Sequence, residues 1–121
     1  MKSKYKTNLK SRCYHLSLSV IDLVDGFPNR KVYWTIGDQL LRAATSIGAN
    51  LTEAQGSSSK RDFKRYHEIA LKSANETLYW LNLLKDSKKV EVAKIEPLIT
   101  EVDEIARMIA KGVLKMKGKL A

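Results

Sequence analysis

Apolar residues recur at steps of three and four in four separate blocks of this chain, and turn-forming residues separate the blocks. Positions three and four apart share one face of an α-helix, so each block reads as an amphipathic helix. Cys13, Leu16, Val20 and Leu23 form the first stripe. Ile36, Leu40, Ala43, Ile47, Leu51 and Ala54 form the second. The third is Phe63, Tyr66, Ala70, Ala74, Thr77, Leu81 and Leu84. The fourth is Ile95, Leu98, Val102, Ile105, Ile109 and Val113. Helices are predicted over roughly 8–25, 35–55, 59–86 and 94–117. Four long helices with short links predict an all-α, up-down-up-down antiparallel bundle, a single domain spanning 1–121. Ile47, Leu51, Ala70, Ala74, Leu81, Ile105 and Ile109 lie at the stripe centres and are predicted to be buried.

Local signals set the expected ends. Gly26, before Phe27-Pro28, reads as a C-cap. Thr35 with Asp38, and Ser59 with Asp62, read as capping boxes. Pro97 fits only the first turn of the fourth helix. Glu101, Asp103 and Glu104 precede Arg107, Lys111 and Lys115 there, an order that suits the helix dipole. Ala43, Ala44, Gly48 and Ala49 predict close helix approach on the second helix.

The chain carries 22 Lys and Arg against 13 Asp and Glu, a formal net charge of +9. That excess is concentrated. Lys2, Lys4, Lys6, Lys10 and Arg12 crowd the start with no acid among them. Lys60, Arg61, Lys64 and Arg65 surround Asp62. Arg107, Lys111, Lys115, Lys117 and Lys119 fill the last stretch. The rest of the chain is slightly acidic. In an up-down bundle these three segments meet at one end, with basic tails at about 1–8 and 117–121. A cationic pole of that kind attracts polyanions, whereas scattered late-helix lysines would serve only solubility and the dipole.

Several chemistries lack their residues. One cysteine, Cys13, permits no internal disulfide and reads as a small core residue. His15 and His67 sit on different helices, and no Glu-x-x-His step of a bundle di-metal site occurs. Glycine-rich phosphate loops and nucleophile elbows are missing too. No catalytic residue, metal or cofactor is therefore expected, and the protein is expected not to be an enzyme. No apolar run is long enough to span a membrane, and no apolar stretch follows the charged start, so a cytoplasmic location is expected.

A second, polar stripe runs along the second helix: Gln39, Arg42, Ser46, Asn50 and Glu53. Ser73, Glu76 and Trp80 match it on the third. Such a stripe is either a solvated face or a semi-buried seam of Arg42, Asn50, Glu53 and Glu76 that fixes helix register or a subunit contact. Folding the chain about Ser57 and Ser58 places Arg42 near Glu76, and Glu53 near Arg61 or Arg65.

These segments carry a resemblance. Residues 38–56, DQLLRAATSIGANLTEAQG, resemble the signature of the four-helix-bundle family encoded in intervening sequences of bacterial 23S ribosomal RNA genes. Phe63, the stretch 70–76 (ALKSANE) and Met108 are similar to its later helices. Where the usual pattern reads Asn-Ile-Ala-Glu-Gly, this chain has Asn50-Leu51-Thr52-Glu53-Ala54-Gln55-Gly56. The resemblance implies an up-down bundle that assembles into a homopentameric ring. A related branch, the accessory variability determinant of diversity-generating retroelements, binds a reverse transcriptase and nucleic acid.

Two functions follow as expectations. The first is a non-enzymatic, oligomeric nucleic-acid-binding protein, for structured RNA above DNA. Lys60, Arg61, Lys64, Arg65, Lys111 and Lys115 would contact phosphates without reading sequence, since no RNA-recognition motif with stacking aromatics is visible. The second is an oligomeric scaffold for a protein such as a reverse transcriptase, marked by an exposed apolar patch.

Overall fold

The computed structural model describes residues 8–118. Four helices follow in order: α1, Leu9–Asp25; α2, Lys31–Gly56; α3, Lys60–Asp86; and α4, Val92–Met116. The charged tail residues Lys2, Lys4, Lys6 and Lys119 lie outside the described residues.

Caps and anchors explain the helix ends. The Asn8 side chain accepts from the Ser11 N–H at 3.0 Å and starts α1. Gly26 ends it as predicted, but at φ −86°, without the left-handed backbone that glycine permits. α2 begins at Lys31, ahead of the predicted Thr35, so the Thr35–Asp38 capping box lies inside the helix and is not a cap. Tyr33 explains the extra turn. Its ring is buried against Phe27 at 5.3 Å, and its hydroxyl donates to the Lys89 carbonyl at 2.9 Å. Tertiary packing thus overrides the local cap signal. Ser59 caps α3 by accepting from the Asp62 N–H at 3.1 Å. α4 starts at Val92, two residues early, which puts Pro97 in its second turn and not its first. The Ala93 carbonyl there has no proline N–H to accept from.

Each helix packs on its sequence neighbours, and α4 closes on α1; among the described residues the backbones of diagonal pairs stay farther apart. Polar contacts fix the register. Ser46 faces Ser73 across α2 and α3, with 2.9 Å between hydroxyls. Lys85 meets Glu96 at 3.4 Å across α3 and α4. The core holds Leu40, Ile47, Leu81, Ile95, Ile105 and Ile109, with essentially no exposure. All seven residues predicted at the stripe centres are buried. Gly48 lets α1 approach α2, because a Cβ there would stand 3.2 Å from the Cβ of Cys13. Among the described residues no buried side-chain nitrogen or oxygen lacks a partner. No described helix is long and apolar enough to cross a membrane.

Candidate nucleic-acid interface

The antiparallel order brings the start of α1, the α2–α3 turn and the end of α4 to one pole. Two contacts tie it together. Lys10 Nζ donates to Gln55 Oε1 at 2.7 Å, and Lys117 pairs with Glu68 at 3.3 Å. The predicted convergence of the basic segments is therefore present for their described parts.

Sequence alone does not show which of these charges remain available. Arg12 does not. Its Nε donates to Glu101 Oε2 at 2.9 Å and its Nη2 to Glu101 Oε1 at 2.6 Å. The same Nη2 donates to Glu104 Oε1 at 2.7 Å. The Arg12 side chain is 17% exposed, so this is a partly desolvated clamp between α1 and α4. Hydrogen bonds donated to Glu101 and then to Glu104 hold its guanidinium above the ordinary value. Arg107 is also engaged, donating to Asp103 at 2.9 Å. By contrast, Lys60, Arg61, Lys64, Lys111 and Lys115 make no ion pair among the described residues. Arg65 makes a single loose approach to Asp62 at 3.8 Å. The first turns of α3 and the last of α4 therefore carry the uncompensated charge of the pole.

The polar seam is narrower than the sequence suggests. Asn50 is half-buried, and its Nδ2 donates to the Ser46 carbonyl at 2.8 Å and the Ser46 hydroxyl at 2.9 Å. Ser46 meets Ser73, and Thr77 donates to the Ser73 carbonyl at 2.8 Å. That network of hydroxyls and one amide joins α2 to α3. Arg42 and Glu76 do line one groove of about 520 Å³, as the register requires, but they form no ion pair. Glu76 instead accepts from its own helix neighbour, Trp80 Nε1, at 3.1 Å. Arg42, Glu53 and Glu76 are all exposed in the single chain, and neither Arg61 nor Arg65 pairs with Glu53. Residues on the outer rim of two helices share a groove without meeting, because their side chains splay from the contact line.

Cys13 is fully buried where α1, α2 and α4 meet. Burial pushes its thiol up to about 12, with Glu101 adding to the shift and Arg12 opposing it. That environment suppresses the thiolate a nucleophile needs. Among the described residues no group of three or more His, Cys, Asp and Glu is placed to hold a metal ion.

A closed bundle of four antiparallel helices, with Lys60, Arg61, Lys64, Lys111 and Lys115 clustered toward one end, defines a class of small helical-bundle proteins. The family model of the 23S rRNA-intervening sequence protein matches residues 6–111, and the chain belongs to that family. The chain is also similar to the crystal structure of a protein of unknown function from the S23 ribosomal protein family, from Bacteroides thetaiotaomicron VPI-5482. The two share 31% identity at a TM-score of 0.81, over 87% of this chain and 97% of that one. No curated protein matches the chain.

Proposed function

We propose that this protein is a non-enzymatic, cytoplasmic nucleic-acid-binding protein that works as a homo-oligomer, with RNA as its first ligand. One observation carries the reading: Lys60, Arg61, Lys64, Lys111 and Lys115 share a pole and have no acidic partner among the described residues. Side chains left free at such density create a field that attracts phosphate backbones. Self-assembly has its own support. Tyr14, Leu18 and Ile21, at helical spacing on α1, are 65%, 44% and 44% exposed. An exposed apolar stripe of that kind supports a contact surface. A homopentameric ring, as the family resemblance implies, would set several cationic poles side by side.

Salt dependence tests the binding. Each phosphate contact on a single strand contributes about −0.7 to the slope of log affinity against log salt, so four α3 cations give a slope of about −3 per subunit. Replacing Lys60, Arg61, Lys64 and Arg65 with Gln should flatten the slope and leave the helical circular dichroism intact. Replacing Lys88 and Lys89, in the turn at the opposite pole, should change it little. Equal effects from both sets would mean that net charge alone acts. No binding to RNA or DNA at low salt would favour the scaffold reading, with a reverse transcriptase as the protein partner.

A further inference from the structure

The first two turns of α3 carry aromatic rings among the free cations. Phe63 belongs to the predicted apolar stripe, yet it does not join the core. The partly buried apolar residues packed on the core include Leu71, Leu78 and Trp80 from α3, but not Phe63. Phe63 is 38% exposed, one turn after Lys60 and next to Lys64 in the same helix. One turn on, the His67 ring lies 4.5 Å from the Phe63 ring at an interplanar angle of 44°. His67 Nδ1 lies 2.8 Å from the Phe63 carbonyl oxygen. A carbonyl only accepts, so Nδ1 carries the proton, and this bond pins the imidazole over the preceding turn. Beside this pair, the Arg65 guanidinium lies 5.0 Å from the centroid of the Tyr66 ring. Flat π-faces are thus held in place within one turn of unpaired lysines.

A ring left 38% exposed at the rim of the core keeps part of its face in water, an unfavourable setting for an apolar group. Such a ring near lysines suits a ligand that is both anionic and aromatic. Single-stranded nucleic acid is such a ligand, because its unpaired bases stack on aromatic side chains while its phosphates meet cations. A duplex keeps its bases stacked internally and cannot use the rings.

We infer that Phe63 and His67 form a base-stacking platform for single-stranded nucleic acid, with Lys60 and Lys64 holding the flanking phosphates. This inference rests on the cationic-pole reading and adds the class of strand that the pole selects. Stacking is indifferent to base identity, in keeping with a protein that carries no sequence-reading motif.

The test compares two ligands that share charge but differ in bases. Fluorescence anisotropy would follow a labelled oligoadenylate, and competition would measure inorganic polyphosphate, on the full chain. Phe63→Ala should weaken oligoadenylate binding about 5- to 100-fold, leaving polyphosphate binding and the salt slope unchanged. Phe63→Tyr should retain affinity, since it keeps the ring. Phe63→Leu keeps apolar volume without a π-face and should show the Ala result; it serves if the Ala variant loses its helical signal. Lys60→Gln with Lys64→Gln should weaken both ligands. If Phe63→Ala and Phe63→Leu bind oligoadenylate like the parent while the lysine variant weakens both ligands, the platform is wrong and the pole stands. Equal weakening of both ligands by the Phe63 variants also overturns the platform. If the parent binds neither ligand at low salt, the pole itself fails, and the platform with it.

Discussion

Arg12 grips Glu101 with two parallel hydrogen bonds, Nε to Oε2 at 2.9 Å and Nη2 to Oε1 at 2.6 Å, across 89 positions of sequence. The fork of the guanidinium matches the carboxylate, and the site is partly shielded from water. This geometry ties the first helix to the last.

The clamp should matter more than an exposed pair. An exposed ion pair contributes ~0–1 kcal/mol, and breaking a buried one costs ~3–5 kcal/mol. Arg12→Gln should fall between, at about 1–3 kcal/mol, as read from urea midpoints. The raised guanidinium value keeps Arg12 charged at every accessible pH. Its contribution is complete below the unfolded value and is lost only above it. The cost of Arg12→Gln should therefore not shrink between neutral and mildly alkaline buffer.

Cys13 should make its own mark on alkaline stability. Its thiol rises from 9.0 to about 12 on folding, so the folded state holds the proton more tightly. The contribution is complete below about pH 9 and fades as pH climbs toward about 12. Cys13→Ala should show a shallower loss of stability across that window than the parent. A thiol reagent near neutral pH should label the parent slowly when folded and rapidly in urea.

Two helical glycines should respond in opposite directions to larger residues. A Cβ at Gly112 meets nothing within 4 Å, so Gly112→Ala should stabilise the helix by ~0.5–1 kcal/mol. A Cβ at Gly48 stands 3.2 Å from the Cβ of Cys13. Gly48→Leu must push α1 away and should cost ~1–3 kcal/mol or more. Thermal melts of the two variants should move apart from the parent.

Leu81 has no exposure at the centre of α3. Leu81→Ala should cost ~2–5 kcal/mol through lost transfer energy and the cavity left behind. Denaturant unfolding measures this directly.

Helices, core and two caps, Gly26 and Ser59, were legible in the chain because each is written in local signals. Leu81 and Ile105 announce themselves by spacing, and Ser59 by the residues that follow it. Tyr33 was not legible as a helix anchor, since its partners Phe27 and Lys89 come from two different turns. Arg12 read as tail charge for the same reason: the acids that neutralise it lie on the far helix. The signal was nonetheless present, as Arg12 adjoins the core residue Cys13, while Glu101 adjoins the core residue Val102. Pairing of Arg42 with Glu76 failed in the opposite way. Register placed both in one groove, but rotamer directions decide contact, and Trp80 holds the glutamate instead. Of the candidate site, the α3 cations were visible as a cluster, whereas the lack of an acidic partner for Lys60, Arg61 and Lys64 needed the fold.

Four helices whose described backbones come close only to their neighbours, with the last closing on the first, form a ring of contacts without a privileged starting point. The connectivity could therefore be cut elsewhere. Joining the end of α4 to the start of α1 by a short polar linker, and opening the chain between Ser87 and Val90, preserves every helix–helix seam. Such a circular permutant would carry its new ends at the pole far from Lys60 and Phe63. An affinity tag or fluorophore attached there would report on the cationic end without lying across it.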